Sequence, residues 1–169
     1  MANKNGGFIG TDGLDAPDPP TGVTPTAGVG SVSIAFTDAE GGTSATTSFV
    51  AQVSTDDTDY STGSGTGTSS PIEITGLTGG TAHTAKVWAI NAYGTSAPSK
   101  ARSFTPAAGR GIFAGGDAGA GGMRNDIRYF TLASTGNTTD FGDLSAVRQR
   151  FGNSGASSTR GIFAGGRDN

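Results

Sequence analysis

The sequence predicts an all-β protein, a β-sandwich followed by a second β-rich segment. Short apolar stretches alternate with polar residues at the period of two that is typical of half-buried strands. Glycine accounts for 30 of the 169 residues, and Gly and Thr favour turns and strands over helices. Only 33% of the residues are hydrophobic, so any core is expected to be thin.

Composition and charge exclude several classes of function. The chain has no cysteine, which excludes disulfides and thiolate metal sites. No apolar run approaches the roughly 20 residues that span a bilayer, so membrane insertion is not expected. Residues 1–100 carry three Lys against nine acidic residues, and residues 101–169 carry eight Arg against five. The acidic first part gives no reason to expect nucleic-acid binding, and the mixed charges of the second part predict a solvated face.

Residues 1–16 form a polar N-terminal arm with one apolar pair, Phe8 and Ile9. The arm is either a disordered tail or an anchor in which this pair docks onto a partner. The first ten residues lack the apolar segment of a secretory signal. We therefore expect a protein made in a cytoplasm and released by lysis.

Residues 17–106 contain a series of short predicted strands, which favours a sandwich. Every second residue is apolar over residues 32–36, 49–53 and 72–74, residues 83–90 divide between two faces, and residues 101–105 are predicted to form the last strand. The strand at 83–90 is predicted to place one set of residues on each face: His83, Ala85, Val87 and Ala89 on one, and Thr84, Lys86, Trp88 and Ile90 on the other.

Residues 77–98, with residues 20–23 and 32–36, resemble the strands of fibronectin type III domains. The resemblance implies a spacer or adhesion module without catalytic activity. Phe36 stands where the family usually has a Trp, and His83 stands where it usually has a Tyr that makes a corner hydrogen bond. We therefore expect His83 to be structural. The chain has no Arg-Gly-Asp tripeptide, so the family's integrin binding does not carry over.

A heptad that begins at Arg110 recurs unchanged at Arg160, 50 residues later. This period, the double glycine that ends the heptad, and a predicted strand at 127–132 resemble kelch-like repeats in long virion proteins of marine bacteriophages that infect cyanobacteria. Residues 107–169 then hold one full repeat and the first strand of a second, an incomplete propeller. Either the chain is a fragment, or blades from several subunits combine, so we expect this region to order through further repeats or in a homo-oligomer.

No catalytic constellation is evident, and no cofactor is expected. The acidic cluster Asp56, Asp57 and Asp59 is interpreted as a solvated turn, with Ca²⁺ binding as the alternative. The glycine-rich segment 63–67 lacks the Lys of a phosphate-binding loop and is interpreted as a flexible hairpin tip. Trp88 and Tyr93 are candidate interaction residues, either packed beneath a neighbouring loop or in contact with a partner subunit or a glycan.

Together these features predict a non-enzymatic virion structural protein of a bacteriophage: a fibre, appendage or decoration component. The arm would bind other virion proteins, the sandwich would act as a spacer, and the repeat region would contact a glycan or protein of the host surface. The alternative is an extracellular bacterial glycan-binding or adhesion module. A third hypothesis is an enzyme whose catalytic part lies beyond Asn169.

Overall fold

The computed structural model describes residues 16–39, 44–117, 122–132, 136–147, 149–156 and 161–167. The chain divides into two compact units, Met1–Ala107 and Ala108–Asn169. Every regular element in these described ranges is a β-strand, which confirms the all-β prediction. These ranges contain no helix that is long and apolar enough to cross a membrane.

The first unit is a sandwich of two antiparallel sheets, as predicted. One sheet has the order β1-β2-β5, and the other has the order β4-β3-β6-β7 with β8 also paired to β6. The described strands of this unit are β1 (Thr21–Gly28), β2 (Ser31–Thr37), β3 (Ser48–Ser54), β4 (Gly63–Gly67), β5 (Ile72–Thr75), β6 (His83–Asn91), β7 (Gly94–Thr95) and β8 (Arg102–Phe104).

The core between the two sheets is built mainly from small and β-branched side chains. Two aromatic rings lie within it, Phe36 and Phe49, with centroids 4.7 Å apart. Phe36, which replaces the Trp of the resembled family, is therefore a packed core residue. The buried apolar residues are Val23, Val32, Ile34, Phe36, Phe49, Ala51, Val53, Ile72, Ile74, Leu77, Ala85, Val87 and Ala89.

Strand β6 is the centre of its sheet. It pairs with β3 on one side and with β7 and β8 on the other. Every second residue from His83 to Asn91 is buried, and the residues between them are half-buried. The predicted division of this strand into two faces is therefore confirmed.

Two serine side chains replace part of the hydrogen-bond ladder beside β6. Ser96 donates its backbone N–H to the Ala89 carbonyl at 2.8 Å, and its Oγ accepts the Ala89 N–H at 2.9 Å. Ser99 makes the same two contacts with Val87, each at 2.9 Å. Pro98 lies between the two serines and has no N–H to donate. The hydroxyls thus keep the buried N–H groups of β6 satisfied where a regular strand is interrupted.

The glycine-rich segment 63–67 is strand β4, so its interpretation as a flexible hairpin tip is wrong. The segment pairs with β3 along its whole length. A Cβ atom on Gly65 would lie 2.7 Å from Ile72 Cγ2 and 2.8 Å from the backbone oxygen of Glu73. The absence of a side chain therefore allows the backbone of β4 to lie directly against β5.

We predict that Gly65→Ala lowers the free energy of unfolding by about 1–3 kcal/mol, because the new methyl group overlaps a backbone atom. Gly67→Ala is the matched control: its Cβ would lie 3.4 Å from Ile72 Cγ1, an ordinary contact. We expect this control to change stability by less than about 1 kcal/mol. Urea denaturation measures both. Equal effects of the two substitutions would contradict close packing at Gly65.

The second unit contains a three-stranded sheet of order β11-β10-β9 and a two-stranded sheet of β12 and β13. Both heptads form strands, as predicted, and the segment predicted at 127–132 falls largely within β10. The described strands are β9 (Arg110–Asp117), β10 (Met123–Thr131), β11 (Thr139–Asp143), β12 (Gln149–Ala156) and β13 (Gly161–Arg167).

The double glycine of the heptad coincides with an irregularity in strand pairing. Gly115 and Gly116 have φ angles of 61° and 126°, which strongly favour glycine. The register between β9 and β10 shifts opposite these residues. In the second copy, the register between β12 and β13 shifts at Ala164 and Gly165, so both copies break the ladder at nearly the same point.

Candidate interaction surfaces

The described residues show no grouping of three His, Cys, Asp or Glu side chains that could hold a metal ion. The buried side chains of His83, Ser96 and Ser99 instead contact backbone groups of the sandwich. The candidate functional features are therefore surfaces, and they comprise an acidic turn, an aromatic cluster, and the two faces of the β9–β11 sheet.

His83 is a structural residue of the sandwich. Its side chain is 2% exposed, its Nδ1 lies 2.7 Å from the Thr81 carbonyl oxygen, and its ring stacks on Phe104 with centroids 5.6 Å apart. The buried Nε2 has no hydrogen-bond partner among the described residues. Because a carbonyl oxygen can only accept, Nδ1 is the donor in this contact.

We predict that His83→Tyr preserves the stability of the sandwich or raises it by about 1 kcal/mol, because it removes the unpaired nitrogen and restores a hydroxyl. His83→Phe is the control, since it keeps an aromatic ring but offers no hydroxyl. Thermal and chemical denaturation of both variants should rank Tyr above Phe. A loss of more than about 2 kcal/mol with Tyr would show that the site requires histidine.

The acidic cluster forms a turn whose carboxylates are used within the chain. Asp56 accepts hydrogen bonds from the backbone N–H groups of Asp59 and Thr58 and from the Ser54 hydroxyl, at 2.8–2.9 Å. These hydrogen bonds hold the pKa of Asp56 well below its usual value of 3.8, and the bond from the Asp59 N–H has the largest effect. The turn is thus closed by hydrogen bonds from its own backbone, and residues 56–59 are exposed, as expected of a solvated turn.

The depressed pKa of Asp56 predicts acid sensitivity. The unfolded chain takes up a proton near pH 3.8, whereas the folded chain does so only at lower pH. The stabilisation is therefore present above the pKa of the unfolded chain and is lost progressively as the pH falls below it. Asp56→Asn should flatten this part of the curve of unfolding free energy against pH. Glu73→Gln, at an exposed position of β5, is the control, and parallel curves for wild type and Asp56→Asn would refute the assignment.

Trp88 packs against Tyr60, a residue that the sequence did not single out. The two rings meet edge to face with centroids 6.2 Å apart. Lys86 Nζ lies 4.2 Å from the centre of the Tyr60 ring and 3.5 Å from Asp57 Oδ1. A side-chain hydrogen bond with Tyr60 is the main cause of the raised pKa of Lys86. The Tyr60 hydroxyl also donates a hydrogen bond to Asp57, and this bond is the main cause of the lowered pKa of the Asp57 carboxyl. We call Asp57, Tyr60, Lys86 and Trp88 the aromatic cluster.

Tyr93 lies in the turn between β6 and β7 and is 48% exposed. Asn91 Oδ1 accepts the backbone N–H groups of Tyr93 and Gly94 at 2.9 and 3.1 Å, which fixes the turn. Tyr93 and Trp88 therefore stay candidate interaction residues, Trp88 as part of the aromatic cluster. Phe8 and Ile9, the candidates in the arm, lie outside the described residues.

One face of the β9–β11 sheet, here called the isoleucine face, carries Ile112, Tyr129 and Phe141. Ile112 and Tyr129 are directly opposed across β9 and β10, and Tyr129 meets Phe141 edge to face at 6.3 Å. The Arg110 guanidinium lies 4.7 Å from the centre of the Tyr129 ring. Phe141 is 68% exposed, so this apolar face is open in the single chain.

The opposite face, here called the glycine face, carries Phe113, Phe130 and Leu132. Phe130 lies across from Gly111 and stacks on Phe113 with centroids 5.5 Å apart. Phe113 is 58% and Leu132 65% exposed. A depression of about 250 Å³ lies beside Phe113 and is also lined by Gly115, Arg124, Asp126, Arg128 and Thr138.

Two ion pairs of Asp126 lie at the rim of this depression. Asp126 Oδ2 lies 2.7 Å from Arg128 Nε and 3.6 Å from Arg124 Nη1. The hydrogen bond from Arg128 is the main cause that lowers the pKa of Asp126. Arg128 also reaches Thr138 Oγ1 at 3.3 Å. These contacts position two guanidinium groups and a carboxylate at the edge of the depression, where Phe113 supplies the apolar wall.

The chain is similar to several solved structures of β-sandwich domains. No protein-family model matches the chain, and no curated protein matches it. A crystal structure of titin domains is 25% identical with a TM-score of 0.50, covering 56% of this chain and 33% of that one. The fibronectin type III domain of human fibronectin type III domain containing protein 3 is 23% identical with a TM-score of 0.47, covering 58% and 93%. Domains FN1–FN3 of chicken CNTN1 are 14% identical with a TM-score of 0.47, covering 71% and 43%.

This chain spans about a third of the length of the titin fragment. The likeness shows a fibronectin type III-like β-sandwich.

Proposed function

We propose that this protein is a non-enzymatic structural component of a bacteriophage particle, as a fibre, an appendage or a capsid decoration. The sandwich serves as a spacer, and the repeat region contacts partner subunits or the host surface. The observation that best supports the proposal is the duplicated heptad. Both of its copies form a β-strand that breaks its ladder at nearly the same point. Sequence repeats that form equivalent strands are typical of proteins built as arrays.

The polar side chains buried in the sandwich support a role without catalysis. His83 contacts the Thr81 carbonyl, Ser54 bonds to Asp56, and Ser96 and Ser99 complete the ladder of β6. Each of these groups has a role in the fold. Function is therefore assigned to the surface of the protein.

The N-terminal arm is proposed to attach the protein to other virion proteins through Phe8 and Ile9. We predict that Phe8→Ala with Ile9→Ala prevents incorporation into particles, as deletion of residues 1–16 does, while the sandwich still melts like wild type. Lys4→Ala, a change in the same arm that removes no apolar group, should leave incorporation unchanged. Purified particles from cells that express each variant are probed with an antibody against the sandwich. Normal incorporation of the double variant would contradict attachment through this pair, and absence of the wild-type protein from particles would contradict the virion assignment itself.

A second candidate function, an extracellular glycan-binding module, is favoured by the exposed ring of Tyr93. Aromatic rings on a rigid turn are suitable platforms for the apolar face of a sugar, and this turn is fixed by Asn91. Glycan-array binding that is lost on Tyr93→Ala, but retained on Lys100→Ala at another exposed position, would favour this candidate over a spacer.

A further inference from the structure

The β9–β11 sheet exposes large apolar side chains on both faces. A sheet with one face on a core and one in water normally alternates apolar and polar residues. Here adjacent residues of β9, Ile112 and Phe113, are both apolar and both exposed, on opposite faces. Apolar surface of this kind marks a site of association. The sheet therefore needs a cover on each side.

The two faces differ in shape. On the glycine face the depression beside Phe113 has a volume of about 250 Å³, and its other lining residues are Gly115, Thr138 and the ion-paired Arg124, Asp126 and Arg128. On the isoleucine face Phe141 is 68% exposed, with one edge contact to Tyr129. One face thus has a hollow with room for an aromatic ring, and the other has a projecting ring.

We propose that these two faces bind each other between copies of this chain, with Phe141 of one copy inserted into the depression beside Phe113 of the next. The ring would gain apolar contact with Phe113 and cation–π contact with Arg124 and Arg128. The sheet already uses such a contact, since Arg110 lies over Tyr129.

A second copy of the chain is the occupant that the duplicated heptad favours. Ile162 and Phe163 repeat the pair Ile112 and Phe113 at adjacent positions of β13, so the chain itself encodes more than one strand of this type. A sheet that is apolar on both faces is covered most simply by further sheets of the same kind, as in stacked β-sheet arrays.

The geometry determines the symmetry of the assembly. Because unlike faces meet, the contact is head-to-tail, and every copy keeps one hollow and one ring for the next copy. Such a contact builds a ring if the rotation closes and a filament if it does not. This inference concerns the contact between copies, and it holds whether the assembly belongs to a virus particle or not.

The test uses the full chain and three substitutions of apolar residues by threonine, which is compatible with strands. Phe141→Thr removes the ring, Phe113→Thr removes the wall of the hollow, and Val147→Thr is the control, an exposed apolar residue outside both faces. Sedimentation at increasing protein concentration should show assembly beyond the dimer for wild type and for Val147→Thr. Each phenylalanine variant should associate at least about tenfold more weakly, with an unchanged circular dichroism spectrum.

Mixing the two phenylalanine variants distinguishes the proposed contact from other modes of association. The Phe113→Thr copy still offers Phe141, and the Phe141→Thr copy still offers the hollow, so the mixture should form a one-to-one dimer and nothing larger. A wild-type chain that stays monomeric would overturn the proposal. Self-association of either variant alone that is as tight as the association in the mixture would also overturn it, because the contact would then depend on neither the ring nor the hollow.

Discussion

The sandwich depends on how closely its two sheets approach each other. The inner face of β6 carries alanine and valine between His83 and Asn91, and β4 presents bare backbone to β5 at Gly65. A protein with few large apolar residues achieves a dry interior only if its sheets come close together. Two aromatic contacts close the core toward opposite ends of the β3–β6 ladder. At one end, the Phe49 ring packs on Phe36, and Phe49 is the residue of β3 that lies opposite Ala89 of β6. At the other end, the His83 ring stacks on Phe104.

The sequence predicted the elements whose pattern is periodic. The alternation from His83 to Ile90 indicated both the strand and its buried face, and the duplicated heptad indicated two strands. Sequence reasoning did not predict strand β4, because glycine has low strand propensity. Glycine is favoured in β4 because Ile72 lies so close to Gly65, and no local sequence pattern reveals that contact. The role of Tyr60 was missed for a similar reason: it lies in the loop between β3 and β4, 28 residues before Trp88 in the chain.

The two units solve the problem of covering apolar surface in different ways. The first unit buries its core apolar residues between its own two sheets. In the second unit, none of the described large apolar side chains is buried to the same degree. Gly109 and Gly111 lie beneath Leu132 and Phe130, which leaves these side chains standing on the surface of the sheet. The described part of the first unit therefore has a buried core, whereas the described apolar side chains of the second unit are half-buried or exposed.

Ser96 and Ser99 affect whether a further strand can pair with the edge of the sheet beside β6. A regular edge strand presents a row of free N–H and C=O groups, and such a row templates amyloid-like growth. Here the backbone between β7 and β8 is held by side-chain hydroxyls, and Pro98 and Lys100 occupy exposed positions in it. A proline and a charge at an edge both block the addition of a further strand. Two sandwiches therefore cannot fuse along this edge into one continuous sheet, and the edge does not offer a template for aggregation.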